Sequence, residues 1–212
     1  MIEYINSQAL EKVDTPKLPI LNGHIRDGNR FHLLMQQIGL GIPVDNLLAK
    51  YPHLRKWVDA AQMYTEIPGN KQWNINLSQK FNSVYLIENY DFIVSNDDKV
   101  VAIDWTISKP QDFEDLQSSW KTQLRLFLLH ENFSVECENI SFIYLFVNHA
   151  ASYQYCYNSN QHEQNVQKLG EIIPTPSQDQ KEDKPLLKVH QDWLVGNINT
   201  HEYIERIPEV EI

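Results

Sequence analysis

The stretch that decides the reading of this chain is Tyr90–Lys109, YDFIVSNDDKVVAIDWTISK. Phe92, Ile93 and Val94 run into the polar segment Ser95-Asn96-Asp97-Asp98, and Val100, Val101, Ala102 and Ile103 run out of it. Strong strand formers on either side of an Asn/Asp turn predict a β-hairpin. An acidic residue sits at each outer end, Asp91 where the first strand begins and Asp104 where the second finishes. In an antiparallel pair, residues equally far from the turn face one another, so the two carboxylates converge. Like charges so placed repel, and a shared cation relieves the repulsion. Val100–Ile103 is continuously apolar, so Asp104 ends a buried strand, where a carboxylate needs a partner.

Elements of both kinds surround the hairpin. Upstream, a helix is expected from an N-cap at Asp27, with Phe31, Leu34, Met35 and Ile38 as its apolar stripe and Gly39, Gly41 and Pro43 ending it. A second helix is read over 45–63, broken near Pro52, then weak alternation over 73–77 and a strand over 83–87. Downstream, Asp112 caps a helix with Asp115 in its first turn, and Leu116, Trp120, Gln123, Leu124 and Phe127 share a face. Strands over 140–148 and 152–157 and a helix over 159–173 follow. This order gives an α/β class with a mixed central sheet flanked by helices. The segment 174–185, PTPSQDQKEDKP, has almost nothing to bury, so the expected organisation is one domain over 1–173 and an acidic linker and tail over 174–212.

Composition narrows the class. A chain of 212 residues with 42% hydrophobic residues, five Trp and ten Tyr is globular, and its apolar runs are too short to cross a bilayer. With no basic start and apolar core of a secretory signal, a cytoplasmic location is the expectation. Cys137 and Cys156 make neither a disulfide framework nor a CxxC pair and read as core residues, and the seven histidines other than His32 show no ligand spacing and read as surface residues. The net charge of −10 disfavours broad nucleic-acid affinity, but nine acidic against four basic residues over 171–212 carry half of it. The remaining body has room for a basic rim, for which Arg26, Arg30, Lys121 and Arg125 are the candidates, against the plainer reading of a solvated face.

Four short motifs, read in order over roughly 26–173, resemble the PD-(D/E)xK nuclease superfamily, and most closely its branch of helicase–nuclease and CRISPR-associated exonuclease domains. Gly28-Asn29-Arg30-Phe31-His32 is similar to the G-x-x-x-H of the opening helix. Asp91 stands at the first carboxylate. Ile103-Asp104-Trp105-Thr106 stands where the family reads apolar, Asp, aromatic, Lys. Gln123-Leu124-Arg125-Leu126-Phe127 is similar to Q-L-x-x-Y. The segment RFHLLMQQIGLGIP, 30–43, also resembles a group of uncharacterised cyanobacterial members. No single motif is specific; their order carries the resemblance.

The resemblance implies a restriction-endonuclease-like core acting on DNA, with His32, Asp91 and Asp104 as metal ligands and Gln123 positioning substrate or water. Two carboxylates on neighbouring strand ends independently suit Mg²⁺ or Mn²⁺. Such an ion lowers the pKa of a bound water and neutralises charge growing on a phosphate. The chain departs from the family at several points. Thr106 occupies the position of the catalytic Lys, and Lys109 is the nearest replacement in sequence. Glu88 stands where this branch commonly has Gly, and the tail lacks the cysteines of an iron–sulfur cluster, so none is expected. The alternative is therefore a non-catalytic descendant that binds nucleic acid or a protein partner, with a shortened or frameshifted gene product as a third reading.

Overall fold

A computed structural model describes residues 4–11, 22–173 and 175. Apart from Thr175, these lie within one compact unit, residues 1–174. The expected linker and tail over 174–212 otherwise lie outside the described residues.

The architecture is α/β, a mixed six-stranded sheet with helices on both faces. The strands are β1 (Tyr4–Ile5), β2 (Asn70–Phe81), β3 (Val84–Ser95), β4 (Val100–Thr106), β5 (Ile140–Phe146) and β6 (Ala151–Cys156). The longer described helices are α2 (Asn22–Gly39), α4 (Arg55–Thr65), α6 (Trp120–Asn132) and α7 (Ser159–Ile172), and the shorter ones α1 (Ser7–Leu10), α3 (Asp45–Lys50) and α5 (Phe113–Ser118). One face of the sheet packs under α2–α4 through Phe31, Leu34, Met35, Trp57 and Val58. The other packs under α6 and α7 through Leu124, Phe127, Leu128 and Leu169.

β2 pairs with β3 along its whole length, and the opposite edge of β3 is shared by two short neighbours. Parallel β1 takes Tyr85 and Leu86, and antiparallel β4 takes Phe92 to Ser95. Residues 87–91 of that edge therefore face a gap in the sheet. β4 leaves β3 at this gap and continues beside β5 as far as Thr106↔Phe146. The split follows from pairing two short strands with one long strand that is already fully paired on its other side.

A local irregularity sharpens the gap. Val84, Leu86 and Tyr90 face α6, but beyond Asp91 the parity reverses: Ile93 faces α6, while Phe92 and Val94 face α2. On β2 the same reversal separates Trp73 from Ile75, with Asn74 between them at φ 46°. Asn tolerates the left-handed region better than most residues. The ladder pairs 73↔92 and 75↔90 flank the unpaired position.

The hairpin is present. The Asn96 side chain accepts from the backbone of Asp98 and Lys99 at 3.0 and 2.7 Å, which sets the turn. The ladder Phe92↔Ile103 makes Asp91 and Asp104 the next opposed positions, as expected. Asp112 caps α5 by accepting from Glu114 and Asp115, but Ser119 interrupts and caps α6 separately, so one expected helix is two. α2 begins at Asn22, earlier than Asp27. The strand read over 83–87 and the first hairpin strand are one twelve-residue strand, and the weak alternation at 73–77 belongs to another.

Candidate active site at the gap beside β3

Four elements bring charged groups to the gap. α2 supplies His32, β3 and β4 supply Glu88, Asp91 and Asp104, and α6 supplies Lys121 and Arg125 one helical turn apart.

Asp91 sits at the parity reversal. One carboxylate oxygen accepts from the Trp105 backbone N–H at 3.0 Å, taking the place of a ladder bond where β4 departs. The other lies 3.1 Å from His32 Nδ1. Burial raises the Asp91 pKa; the His32 hydrogen bond pulls it down, but nearby Asp104 adds to the rise and the net shift is upward. For His32, burial works against the charged ring. The hydrogen bond to Asp91 and the charges of both aspartates outweigh it, and the pKa rises.

Asp104 faces α6. It accepts from Arg125 Nη1 at 2.6 Å. Burial alone would raise its pKa, but the charges of Arg125 and Lys121, with hydrogen bonds from Arg125 and the Asp91 carboxyl, lower it. The opposed carboxyls thus shift in opposite directions, Asp91 upward and Asp104 downward.

Arg125 fills the remainder of the gap. Its Nε donates to Glu88 at 3.3 Å and its Nη2 to the Asn89 carbonyl, left unpaired by the missing strand, at 3.1 Å. Glu88 also accepts from the Ser7 N–H at 2.7 Å, tying in the start of α1. The Arg125 and Glu88 side chains are each 8% exposed, and Asp104 and Asp91 14% and 13%. Arg125 therefore stays charged, its pKa raised by Asp104, Tyr144 and Glu88 despite burial. The Tyr90 hydroxyl donates to the Arg125 carbonyl at 2.7 Å and fixes the helix turn that carries it.

Lys121 extends over the Tyr144 ring, with Nζ 5.1 Å from its centroid. Crowding by protein atoms and by Arg125 lowers its pKa, while Asp104, Glu88 and Asp91 pull it back. Solvent still reaches the side chain, which screens these charges.

The expected site residues fare unequally. His32, Asp91 and Asp104 come together. Thr106 lies two residues along β4 from Asp104, and its hydroxyl accepts from the Ser108 N–H at 3.1 Å. Lys109 is exposed and makes no ion pair with any described residue; the cations that act most on Asp104 are Arg125 and Lys121. Gln123 lies nearly opposite Lys121 and Arg125 around α6, where its side chain accepts from Lys168 at 3.4 Å, so it is not part of the gap. The expected basic rim is not one surface. Arg125 is buried, and Arg30 bonds Asp27 at 2.9 Å on the other side of the sheet, near exposed Arg26. Trp105 is a packing residue stacked on Phe92.

Glu88 and the inward role of Arg125 were missed. The signals were present: Glu88 continues the alternation of Val84 and Leu86, and Arg125 interrupts the apolar run Leu124–Leu129. The hard oxygen donors of Asp91 and Asp104 fit Mg²⁺ or Mn²⁺. In this structure those oxygens are met by the Arg125 guanidinium at Asp104 and the His32 imidazole at Asp91.

No family model matches the chain, and no curated protein matches it. A solved structure described as the crystal structure of SSO0001 is similar over 94% of this chain and 87% of that one, at 11% identity and a TM-score of 0.40. Among the described residues, no helix is long and apolar enough to cross a membrane.

Proposed function

We propose that the chain is a nuclease-like protein of the PD-(D/E)xK type, acting on DNA phosphodiester bonds with Mg²⁺ or Mn²⁺ at Asp91 and Asp104 and at a reduced rate. The observation that supports this reading is the meeting of His32, Asp91 and Asp104 from three separate elements at a gap in the sheet. Asp91 and Asp104 are the ligands in this reading, and His32 orients Asp91 or joins them once its proton leaves. The ion would supply an acidified water and neutralise charge on the phosphate. Lys121, not Lys109, is the ammonium whose charge acts on Asp104. Loss of such a group from its ordinary place costs on the order of 10²–10⁴ in rate.

A second reading rests on Arg125. Its charge balances Glu88 and Asp104 without any metal, as in a descendant that keeps the scaffold for binding nucleic acid or protein and no longer cuts. Assays on single- and double-stranded DNA with Mn²⁺ separate the two. Slow cutting by the wild type, abolished by Asp91→Ala and raised by Thr106→Lys, is the expected result. Cutting that Asp91→Ala leaves unchanged overturns the first reading. No cutting by the wild type, with cutting gained in Thr106→Lys, identifies the lapsed enzyme.

A further inference from the structure

Away from the gap, the end of α6, the 3-10 turn Cys137–Asn139 and the first turn of α7 bring together three side chains that sequence spacing did not connect. One ligand atom from each of His130, Cys137 and His162 lies within 4.8 Å of the other two. Among the described residues this is the one group of three or more His, Cys, Asp or Glu side chains that meets so closely. Two corrections to the sequence reading follow: these histidines are not plain surface residues, and Cys156 is exposed, unlike buried Cys137.

We infer that His130, Cys137 and His162 form a binding site for a borderline-soft divalent ion, Zn²⁺ in the first instance. Zn–S and Zn–N bonds of about 2.3 and 2.0–2.1 Å at a tetrahedral angle put sulfur and nitrogen about 3.6 Å apart. Cys137 Sγ and His130 Nδ1 are separated by 3.6 Å. The His130 and His162 rings lie 4.3 Å apart between centroids at 67°, so two nitrogens can converge without ring stacking. The Tyr157 hydroxyl lies 3.2 Å from His162 Nδ1 and is itself held by Asn165, the kind of outer partner that fixes which nitrogen is free for a metal. That leaves Nε2, which is 3.8 Å from Glu131 and thereby favourable to a cation. A crevice of about 390 Å³ lined by His130, Glu131, Phe133 and Glu136 opens beside His130.

A metal bound here would take Cys137 as the thiolate and both imidazoles neutral, with the thiol proton released to solvent. Binding would tie α7 to α6 and to the turn before β5, a structural role separate from the carboxylate gap.

Co²⁺ titration of the reduced full chain tests this directly. The expected result is one Co²⁺ per chain bound with thiolate charge-transfer absorption and tetrahedral d–d bands, displaced by Zn²⁺, while any Co²⁺ at the carboxylate gap adds no charge-transfer band. Cys137→Ser loses the charge-transfer band, His162→Gln weakens binding at least tenfold, and Cys156→Ser changes nothing. No charge-transfer band with excess Co²⁺ leaves only an aromatic stack with a Cys–His hydrogen bond and overturns the proposal, as does a band that survives Cys137→Ser. Should Cys137→Ser fail to fold, unchanged bands in both His130→Gln and His162→Gln overturn it equally. None of these readouts depends on DNA or on Asp91 and Asp104.

Discussion

Arg125 is the residue on which the two functional readings divide. Its guanidinium meets Glu88, Asp104 and the Asn89 carbonyl inside the sheet gap. Removing one partner of a buried ion pair costs roughly 3–5 kcal/mol, because a desolvated charge is left behind. Arg125→Met strands two carboxylates, so its urea unfolding free energy should fall by about that amount in the absence of divalent ions. A loss under about 1 kcal/mol would mean that the pairs carry little. The same variant frees Asp104 and should bind Mn²⁺ more tightly than the wild type in calorimetry. The aspartates were legible in the sequence because hairpin register is a local property: the turn fixes it, and two opposed acids can be counted out from the turn. The plug was not, since Glu88, Asn89 and Arg125 meet only after β1 and β4 share one edge of β3.

At the scale of elements, α2 and α6 approach the sheet under different constraints. α2 passes so close to β2 that a Cβ at Gly39 would clash with the ring of Trp73. Gly39→Ala should therefore cost roughly 1–3 kcal/mol in thermal or urea unfolding, the usual penalty of overpacking, where a helix-favouring substitution would otherwise help. On the α6 face, buried tyrosines oppose ionisation. The Tyr155 hydroxyl donates to the Phe113 carbonyl at 3.0 Å, and burial pushes its pKa from 10.0 up to about 12. Burial also raises Tyr90, Tyr144 and Tyr157. A group raised on folding contributes stability in full below its unfolded value and loses it as pH climbs through the folded one. Stability should hold to about pH 10 and collapse toward pH 12, and phenolate absorbance should rise together with the loss of near-ultraviolet circular dichroism. Phenolate absorbance that rises with the fold intact would contradict this. Helix existence was readable from apolar spacing, whereas the break at Ser119 was not, because Leu116, Trp120 and Leu124 keep the stripe continuous across it. Gln123 was misplaced for another reason: it shares a face with Trp120 and Phe127, and α6 presents a different face, that of Lys121 and Arg125, to the gap.

For the whole molecule, the α/β class follows from strand and helix signals in alternation, and the long β2–β3 ribbon appears only when both strands pair over their full length. That ribbon organises the rest. It offers one edge to two short strands, and the space between them gathers the charged residues of α2 and α6. The central claim is that this gap is a cation site built on the opposed aspartates. Calorimetric titration with Mn²⁺ tests it most directly, on the wild type, Asp91→Ala, Asp104→Ala and Cys137→Ser. One Mn²⁺ per chain in the wild type and in Cys137→Ser, absent from both aspartate variants, is the predicted result. No metal heat in the wild type, or heat that persists in Asp104→Ala, would contradict it.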